Sequence, residues 1–304
     1  MSALISILSI YSFILIGYIA KKTFTSQIDE KTLILISVYF LQPILTFWGL
    51  TRTSINYDLI IAPAIYIVTI TFTLLILIFI SKYTFKDQKD KSIFIATSLI
   101  GNTGNLGIPL GIAIFGEQSI PYTSIINIAN IFFIYTVGVY LFAKDSFTFK
   151  QSLQSIIKIP ILWFALLALL FNYNNFEINL QIDNALEMGA YATIVLQLII
   201  FGIYLAKINI KEQDYKLTFL TSSAKLILLP VIGIVFSLVF ALDTYAASIL
   251  IMSLATPLAV NNVNNAALFN CKPYAVTNIV LFSTVVFLLL FYFDLQIIRT
   301  FFSF

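Results

Sequence analysis

The chain has no histidine and a single cysteine, Cys271. The first absence removes imidazole general bases, histidine metal ligands and the common histidine proton relay. The second removes any intramolecular disulfide and any cysteine-built metal cluster. Charge is scarce too. Asp, Glu, Lys and Arg make up 10% of the 304 residues, where a soluble domain carries about 25%. The apolar segments show no obvious buried carboxylate; Glu187 falls near the start of one and Asp243 in a short connector. A Ser–His hydrolase site is therefore excluded, no intramembrane aspartate pair is found, and the chain does not read as an enzyme. No charge run, linker or low-complexity tract marks a separate domain or a nucleic-acid partner. No cofactor or metal is expected.

What remains is 60% hydrophobic, a composition that belongs in lipid. Apolar runs of roughly 20 residues are long enough to cross a bilayer. They fall near 3–20, 32–50, 59–81, 92–115, 121–142, 153–171, 184–206, 217–241, 245–269 and 274–293. The fold class is thus an all-α membrane protein of ten transmembrane helices. The first run has no basic residue ahead of it, and Lys21-Lys22 follow it. A secretory signal has its charges in front, so the run reads as a retained span with its N-terminus outside.

The basic residues sort by connector. Alternate loops carry Lys21, Lys22, Lys31; Lys82, Lys86, Lys89, Lys91; Lys144, Lys150, Lys158; Lys207, Lys211, Lys216; and Lys272, against Arg52 and Arg299 on the other side. Lysine-rich short loops stay in the cytoplasm. The sorting supports ten spans with both termini outside a bacterial plasma (inner) membrane. Ten spans divide into five and five, residues 1–143 and 144–304, and an odd number per half means inverted repeats. Pro121-Tyr122 and Pro273-Tyr274 open the fifth and tenth runs, and Asn127 and Asn278 follow at nearly matching places.

Two runs are interrupted. One contains Gly101-Asn102-Thr103-Gly104-Asn105-Leu106-Gly107-Ile108-Pro109-Leu110, the other Ala255-Thr256-Pro257-Leu258-Ala259-Val260-Asn261-Asn262-Val263-Asn264-Asn265. Thr103 and Thr256 are 153 residues apart, about half the chain. Glycine and proline disfavour an unbroken helix. Irregular backbone at membrane depth survives only where it is packed in protein or lines a wet cavity. Paired interruptions in two halves mark a carrier's binding site. Broken helices expose N–H groups at one end and C=O groups at the other. Two of them crossing at mid-depth make a polar site without an ionised side chain. Asn102, Thr103, Gly104, Asn105, Pro109, Thr256, Pro257, Val260, Asn261 and Asn262 are the candidate substrate-binding residues. The bland alternative is kinked helices packed through small residues, with the amides as glue. Asn264 and Asn265 read as packing or capping residues.

Lys225 joins the candidate substrate-binding set from within the eighth run. An intramembrane cation is a functional candidate, as counter-ion to an anion. It lies nine residues from Lys216, so it is also placed to snorkel toward the cytoplasmic surface. Gln42 and Gln197 read as core hydrogen-bonding groups, and Pro43, Pro160 and Pro230 as kinks within their spans. With no carboxylate or histidine on the path, uniport, sodium coupling and proton coupling through another group all stay open.

The two interrupted motifs, Asn102 to Leu110 and Thr256 to Asn262, with the ten-span plan, resemble the auxin efflux carrier family over nearly the whole chain. The likeness is to a bacterial member of the group that includes the plant PIN-FORMED exporters and bacterial malate and malonate permeases. It implies a fold shared with bile acid sodium symporters: a scaffold domain of spans 1, 2, 6 and 7 and a transport domain of spans 3–5 and 8–10, with spans four and nine crossing. It also implies substrate beside Asn102, Pro109 and Pro257, an elevator-like movement, and a homodimer through the scaffold. The chain departs from plant members in three ways. Only Lys144 to Ser152 joins its halves, Leu59 to Ile80 holds no acidic residue, and Asn261-Asn262 stand near where a second proline often follows. These departures point to a small organic anion, a dicarboxylate or an auxin-like acid, rather than auxin itself. A channel or a non-transporting sensor on the same fold is the competing expectation.

Overall fold

The computed structural model describes residues 2–52, 55–143, 154, 157–206 and 214–302, with side chains from residue 11 onward. The expected connector Lys144 to Ser152, and Lys207 and Lys211, lie outside the described residues. Among those residues the chain forms twelve helices: α1 (Ser2–Thr23), α2 (Glu30–Thr51), α3 (Tyr57–Thr84), α4 (Gln88–Leu99), α5 (Thr103–Phe115), α6 (Glu117–Ala143), α7 (Pro160–Tyr173), α8 (Leu180–Leu205), α9 (Tyr215–Val239), α10 (Thr244–Ala255), α11 (Asn261–Leu268) and α12 (Pro273–Phe302). Six of them, α2, α3, α6, α8, α9 and α12, are long and apolar enough to cross a membrane. The fourth expected run is covered by α4 and α5, and the ninth by α10 and α11.

Local sequence explains where the helices start. Asp29, Asp87, Asn179, Asp214 and Asp243 each accept a backbone N–H from the first turn of α2, α4, α8, α9 and α10. Those N–H groups have no partner inside the helix, and a short side-chain oxygen supplies one. Four of the chain's 14 acidic residues serve this way. At Asp87 the hydrogen bond from Lys272 is the largest influence, with that from the Lys89 N–H next, and the carboxyl is held below the usual aspartate range.

Proline follows closely on three of the four widened turns among the described residues; the fourth, Ile134–Gly138, has none nearby, and Pro63 sits within α3 without one. The three π turns occupy Ser37–Leu41, Thr103–Gly107 and Ala224–Leu228. Each ends two residues before a proline: Pro43, Pro109 or Pro230. Proline has no N–H to return to the preceding turn and its ring crowds that carbonyl; at these three places the helix answers by widening. Pro160 behaves differently. It opens α7 at the first turn, where its missing N–H costs nothing, so the expected kink there is corrected to a helix start.

The chain forms two compact units, residues Met1–Ile60, Gly104–Ile128 and Ile157–Lys207 in the first, and Ile61–Thr103, Ala129–Ile156 and Ile208–Phe304 in the second. The division falls inside α3, α5 and α6. In the first unit α1 packs along α8, and α2 packs against α7 and α8. Leu45, Trp48, Ile108, Ile120 and Ala190 form one buried cluster, and Phe47, Leu50, Ala165 and Ala168 another. Gly17 and Gly202 let the α1 and α8 backbones touch. At one end of this unit Arg52 lies over the Trp48 ring, 4.4 Å from its centroid, and pairs with Asp183 at 2.8 Å and Glu187 at 3.4 Å. In the second unit α9, α10, α11 and α12 pack together, with α4 against α9. Its α3–α4 corner is tied to the α11–α12 corner by Lys272 on Asp87 and Asp90. Large apolar side chains such as Phe79, Val239 and Leu289 cover the exposed faces, a surface suited to hydrocarbon rather than water.

Candidate functional site

In the second unit two chain segments leave the helical state and meet. Ile100, Gly101 and Asn102 separate α4 from α5, and Thr256 to Val260 separate α10 from α11. Gly101 and Leu258 form an isolated antiparallel bridge. The Asn102 N–H donates to Pro257 O at 2.8 Å, and the Ala259 N–H donates to Ile100 O at 3.0 Å. The interruption therefore satisfies its own freed backbone groups by pairing one stretch with the other, which a dry interior demands.

Side chains complete the junction. Asn262, fully buried, donates its amide to Ile100 O at 3.1 Å and Ala259 O at 3.0 Å. Asn130 on α6 donates to Gly101 O and to Thr103 Oγ1, both at 2.8 Å, and its own carbonyl accepts the Tyr66 hydroxyl at 3.1 Å. Ser283 on α12 accepts the Leu258 N–H at 3.3 Å. Thr256 turns its hydroxyl back to Ser253 O at 2.7 Å. Two amide atoms at the junction stay buried with no hydrogen-bond partner, Asn102 Nδ2 and Asn262 Oδ1, one donor and one acceptor.

Lys225 reaches the same place. Its side chain is 0% exposed, and Nζ donates to Leu254 O at 2.5 Å. That carbonyl belongs to the last turn of α10, where unpaired C=O groups carry partial negative charge. No carboxylate pairs with Lys225 among the described residues. A methyl group added at Gly101 would lie 2.6 Å from Nζ and 3.0 Å from Thr256 Oγ1, so the cation sits directly on the bridge. The snorkelling expectation for Lys225 is corrected: the side chain is wholly buried and its Nζ is held by the Leu254 carbonyl.

Of the sequence-derived residues, Asn102, Thr103, Thr256, Pro257, Val260, Asn261, Asn262 and Lys225 lie in the second unit, and the bridge directly joins Asn102 to Pro257. Val260 is buried and Asn261 half-buried at the start of α11. Gly104, Asn105 and Pro109 fall in the first unit. There Gly104 packs against the Asn127 amide, Asn105 is half-buried, and Pro109 is buried in the first turn after the π segment. Asn264 is exposed and Asn265 half-buried. Sequence reasoning missed Asn130, Tyr66 and Ser283. Each is a polar side chain inside an apolar run, which is the signal that flagged Lys225, but a hydroxyl or amide is too common there to stand out.

Asn130→Ala would leave Gly101 O and Thr103 Oγ1 without this donor. An orphaned buried polar group costs about 1–3 kcal/mol, so the variant is expected to lose roughly 2–4 kcal/mol of stability. A thermal melt of the detergent-purified protein checks this, and an unchanged midpoint would remove Asn130 from the junction.

Long apolar helices with lipid-suited faces define a multi-pass membrane protein. The comparison with known families agrees. The model of the family described as "Membrane transport protein" matches residues 2–293. The chain therefore belongs to that family, the auxin efflux carrier family. It is also similar to the uncharacterized transporter MJ1031 of Methanocaldococcus jannaschii, 25% identical over 183 residues, which is 57% of this chain and 58% of that protein. The similarity thus spans less than two thirds of the relative's length.

Proposed function

We propose that the chain is a secondary carrier for a small organic anion, held where the two interrupted stretches bridge. The observation that carries this reading is Lys225: a fully buried cation on the bridge, with one neutral carbonyl and no carboxylate for a partner among the described residues. Leaving a charge in that setting is costly unless a counter-ion arrives. An anionic carboxylate would take up the free N–H groups of Lys225, and Asn102 Nδ2 would supply a further donor.

The interrupted helices belong, in this reading, to two inverted five-span repeats, so that the fourth and ninth spans cross. The transport domain, built from spans 3–5 and 8–10, moves elevator-like against a scaffold of spans 1, 2, 6 and 7. That α1, α2, α7 and α8 fall in one compact unit supports a scaffold role for them; the same unit also holds Gly104–Ile128 from spans four and five. The lysine-rich connectors face the cytoplasm, both termini face outward, and the protein resides in a bacterial inner membrane as a homodimer through the scaffold. The substrate is a carboxylate, with dicarboxylates the first class to test.

A thermal-shift screen of mono- and dicarboxylates on the purified chain, with and without sodium, identifies the ligand. A ligand that binds only the folded state raises the midpoint by mass action, by about 2.7 kcal/mol at a hundredfold excess over its Kd. Counterflow in proteoliposomes then separates the mechanisms. A carrier exchanges faster when the far side holds substrate. A channel shows no such acceleration, and a sensor binds without flux; either result overturns the carrier reading.

A further inference from the structure

The helices of this protein have a habit with buried hydroxyls. Thr69, Thr73, Thr136, Ser248 and Ser253 each bond the carbonyl four residues back. Four buried hydroxyls of the second unit have no partner at all among the described residues, and three of them cluster; the fourth, Ser237, lies twelve residues beyond Lys225 on α9. Thr97 on α4 and Thr221 and Ser222 on α9 are all buried, at 0%, 0% and 2% exposure, and none of their Oγ atoms has a partner in the protein. They are not scattered. On α9, Thr218, Thr221, Ser222 and Lys225 recur at intervals of three and four, which puts them along one face. On α4, Thr97 precedes Gly101 by one turn, and Gly101 lies against Lys225 Nζ. The two faces touch where the Ser98 hydroxyl donates to Thr221 O at 3.3 Å. The seam leads from Lys225 toward the end where α4 and α9 begin, among Lys89, Lys91 and Lys216.

Buried hydroxyls are almost always hydrogen-bonded, to ordered water where the protein supplies no partner. The seam's inner end is a lysine whose acceptor is the neutral Leu254 carbonyl. A carbonyl accepts an N–H from a neutral amine as well as from an ammonium. Lysine, unlike arginine, can pass between the two.

We propose that Lys225 is the group that takes up and releases the coupling proton of this carrier, through water held by the hydroxyls of Thr97, Thr221 and Ser222. The inference rests on the carrier reading above. On release, one ammonium N–H bond breaks, the proton passes to the adjoining water and on along the seam, and a neutral amine remains; uptake is the reverse. The charged form retains an anion and the neutral form lets it go, so one side chain links the two fluxes. The elements packed around Lys225 bring no competing group to it. Tyr66 on α3 is engaged with Asn130 on the far side of Gly101. Asp58 and Lys82 lie at the ends of α3, Tyr245 at the start of α10 and Arg299 at the end of α12. Asp90 on α4 and Asp294 on α12 are each eleven residues, about 16 Å of helix, from Gly101 and Ser283.

The test uses the full chain in proteoliposomes, with malonate as probe and the membrane potential clamped at zero. One proton per anion lets a one-unit pH gradient sustain up to about tenfold accumulation. The wild type is expected to approach that limit. Lys225→Arg keeps a cation that does not deprotonate, so it is expected to exchange malonate in counterflow but to show no gradient-driven accumulation. Wild-type accumulation in Lys225→Arg overturns the proposal. Wild-type exchange indifferent to the gradient also overturns it and leaves the carrier reading standing. The seam is read separately, in a Cys271→Ala background. Single cysteines from Thr97→Cys, Thr221→Cys and Ser222→Cys are expected to react with a small water-soluble methanethiosulfonate at least tenfold faster than the dry control Ile249→Cys, on the order of one 1.4 kcal/mol step. Equal rates overturn the water path. This labelling decides the seam whether or not malonate is the transported anion and whether or not Lys225→Arg assembles.

Discussion

Replacing Lys225 with methionine is expected to abolish carboxylate exchange while leaving the protein as stable as before, or more so. The two halves of that result come from one fact. Lys225 is wholly inside the protein, without a carboxylate to offset it among the described residues. Methionine has nearly the same length and no charge to desolvate. Exchanging buried ionic groups for apolar ones of similar volume is often neutral or stabilising by about 1–4 kcal/mol. Against this stands the lost hydrogen bond to Leu254 O, worth about 1.5–3 kcal/mol for a charged donor. The two terms nearly cancel, so the melting midpoint moves little or rises. Function has no such compensation. Removing one member of a desolvated charge contact costs about 2–5 kcal/mol, which is roughly 30- to several-thousand-fold in affinity. Counterflow should fall to the level of protein-free vesicles. Exchange at the wild-type rate would take Lys225 out of the site. A large drop in the midpoint would recast it as a structural cap on α10.

Some of this site was legible in the sequence for a physical reason. Glycine, proline and clustered asparagine are improbable inside hydrocarbon, so the stretches at Gly101 and Pro257 stood out against their apolar surroundings. The bonds between Asn102 and Pro257 and between Ala259 and Ile100 supply the partners such residues need. Helix starts were written in single residues such as Asp87 and Asp214. Depth and direction were not legible. Lys225 lies only nine residues from Lys216, and a flexible stem of that kind can point either way. What decides the matter is the Leu254 carbonyl on α10, 29 residues away in sequence, which holds Nζ. Asn130 was invisible because its partners lie 27 and 29 residues away, at Thr103 and Gly101, and 64 away, at Tyr66. The division of α5 between the two units also has no local mark, since Thr103 and Gly104 are chain neighbours.

Gly202→Ala, a change of one methyl group, is expected to be among the most destabilising substitutions in the first unit. The reason is backbone contact. A Cβ at Gly202 would run into Ile14 O and lie 2.8 Å from Tyr18 N and 2.9 Å from Ile14 C. Gly17, across the same contact, faces Ile199, whose carbonyl C and Cα would be 2.8 and 2.9 Å from an added Cβ. In lipid, apolar side chains gain little by leaving one another for the solvent, so close approach through small residues supplies much of helix association. Main-chain atoms cannot rotate away, so α1 and α8 must separate and the packing of Ile14, Leu198 and Phe201 loosens with them. Overpacking of this kind costs about 1–3 kcal/mol and more when nothing can yield. The loss expected for Gly202→Ala is therefore on the order of 3 kcal/mol, about 6–12 °C in the melting midpoint. Gly189→Ala is the internal comparison. Its added methyl would meet the Ile44 side chain, with Cγ2 nearest at 2.9 Å. An isoleucine tip can shift, so that variant should lose less than about 1 kcal/mol. Equal melting of the two variants would mean that α1 and α8 slide apart freely, and that their glycine contact does not hold the first unit together.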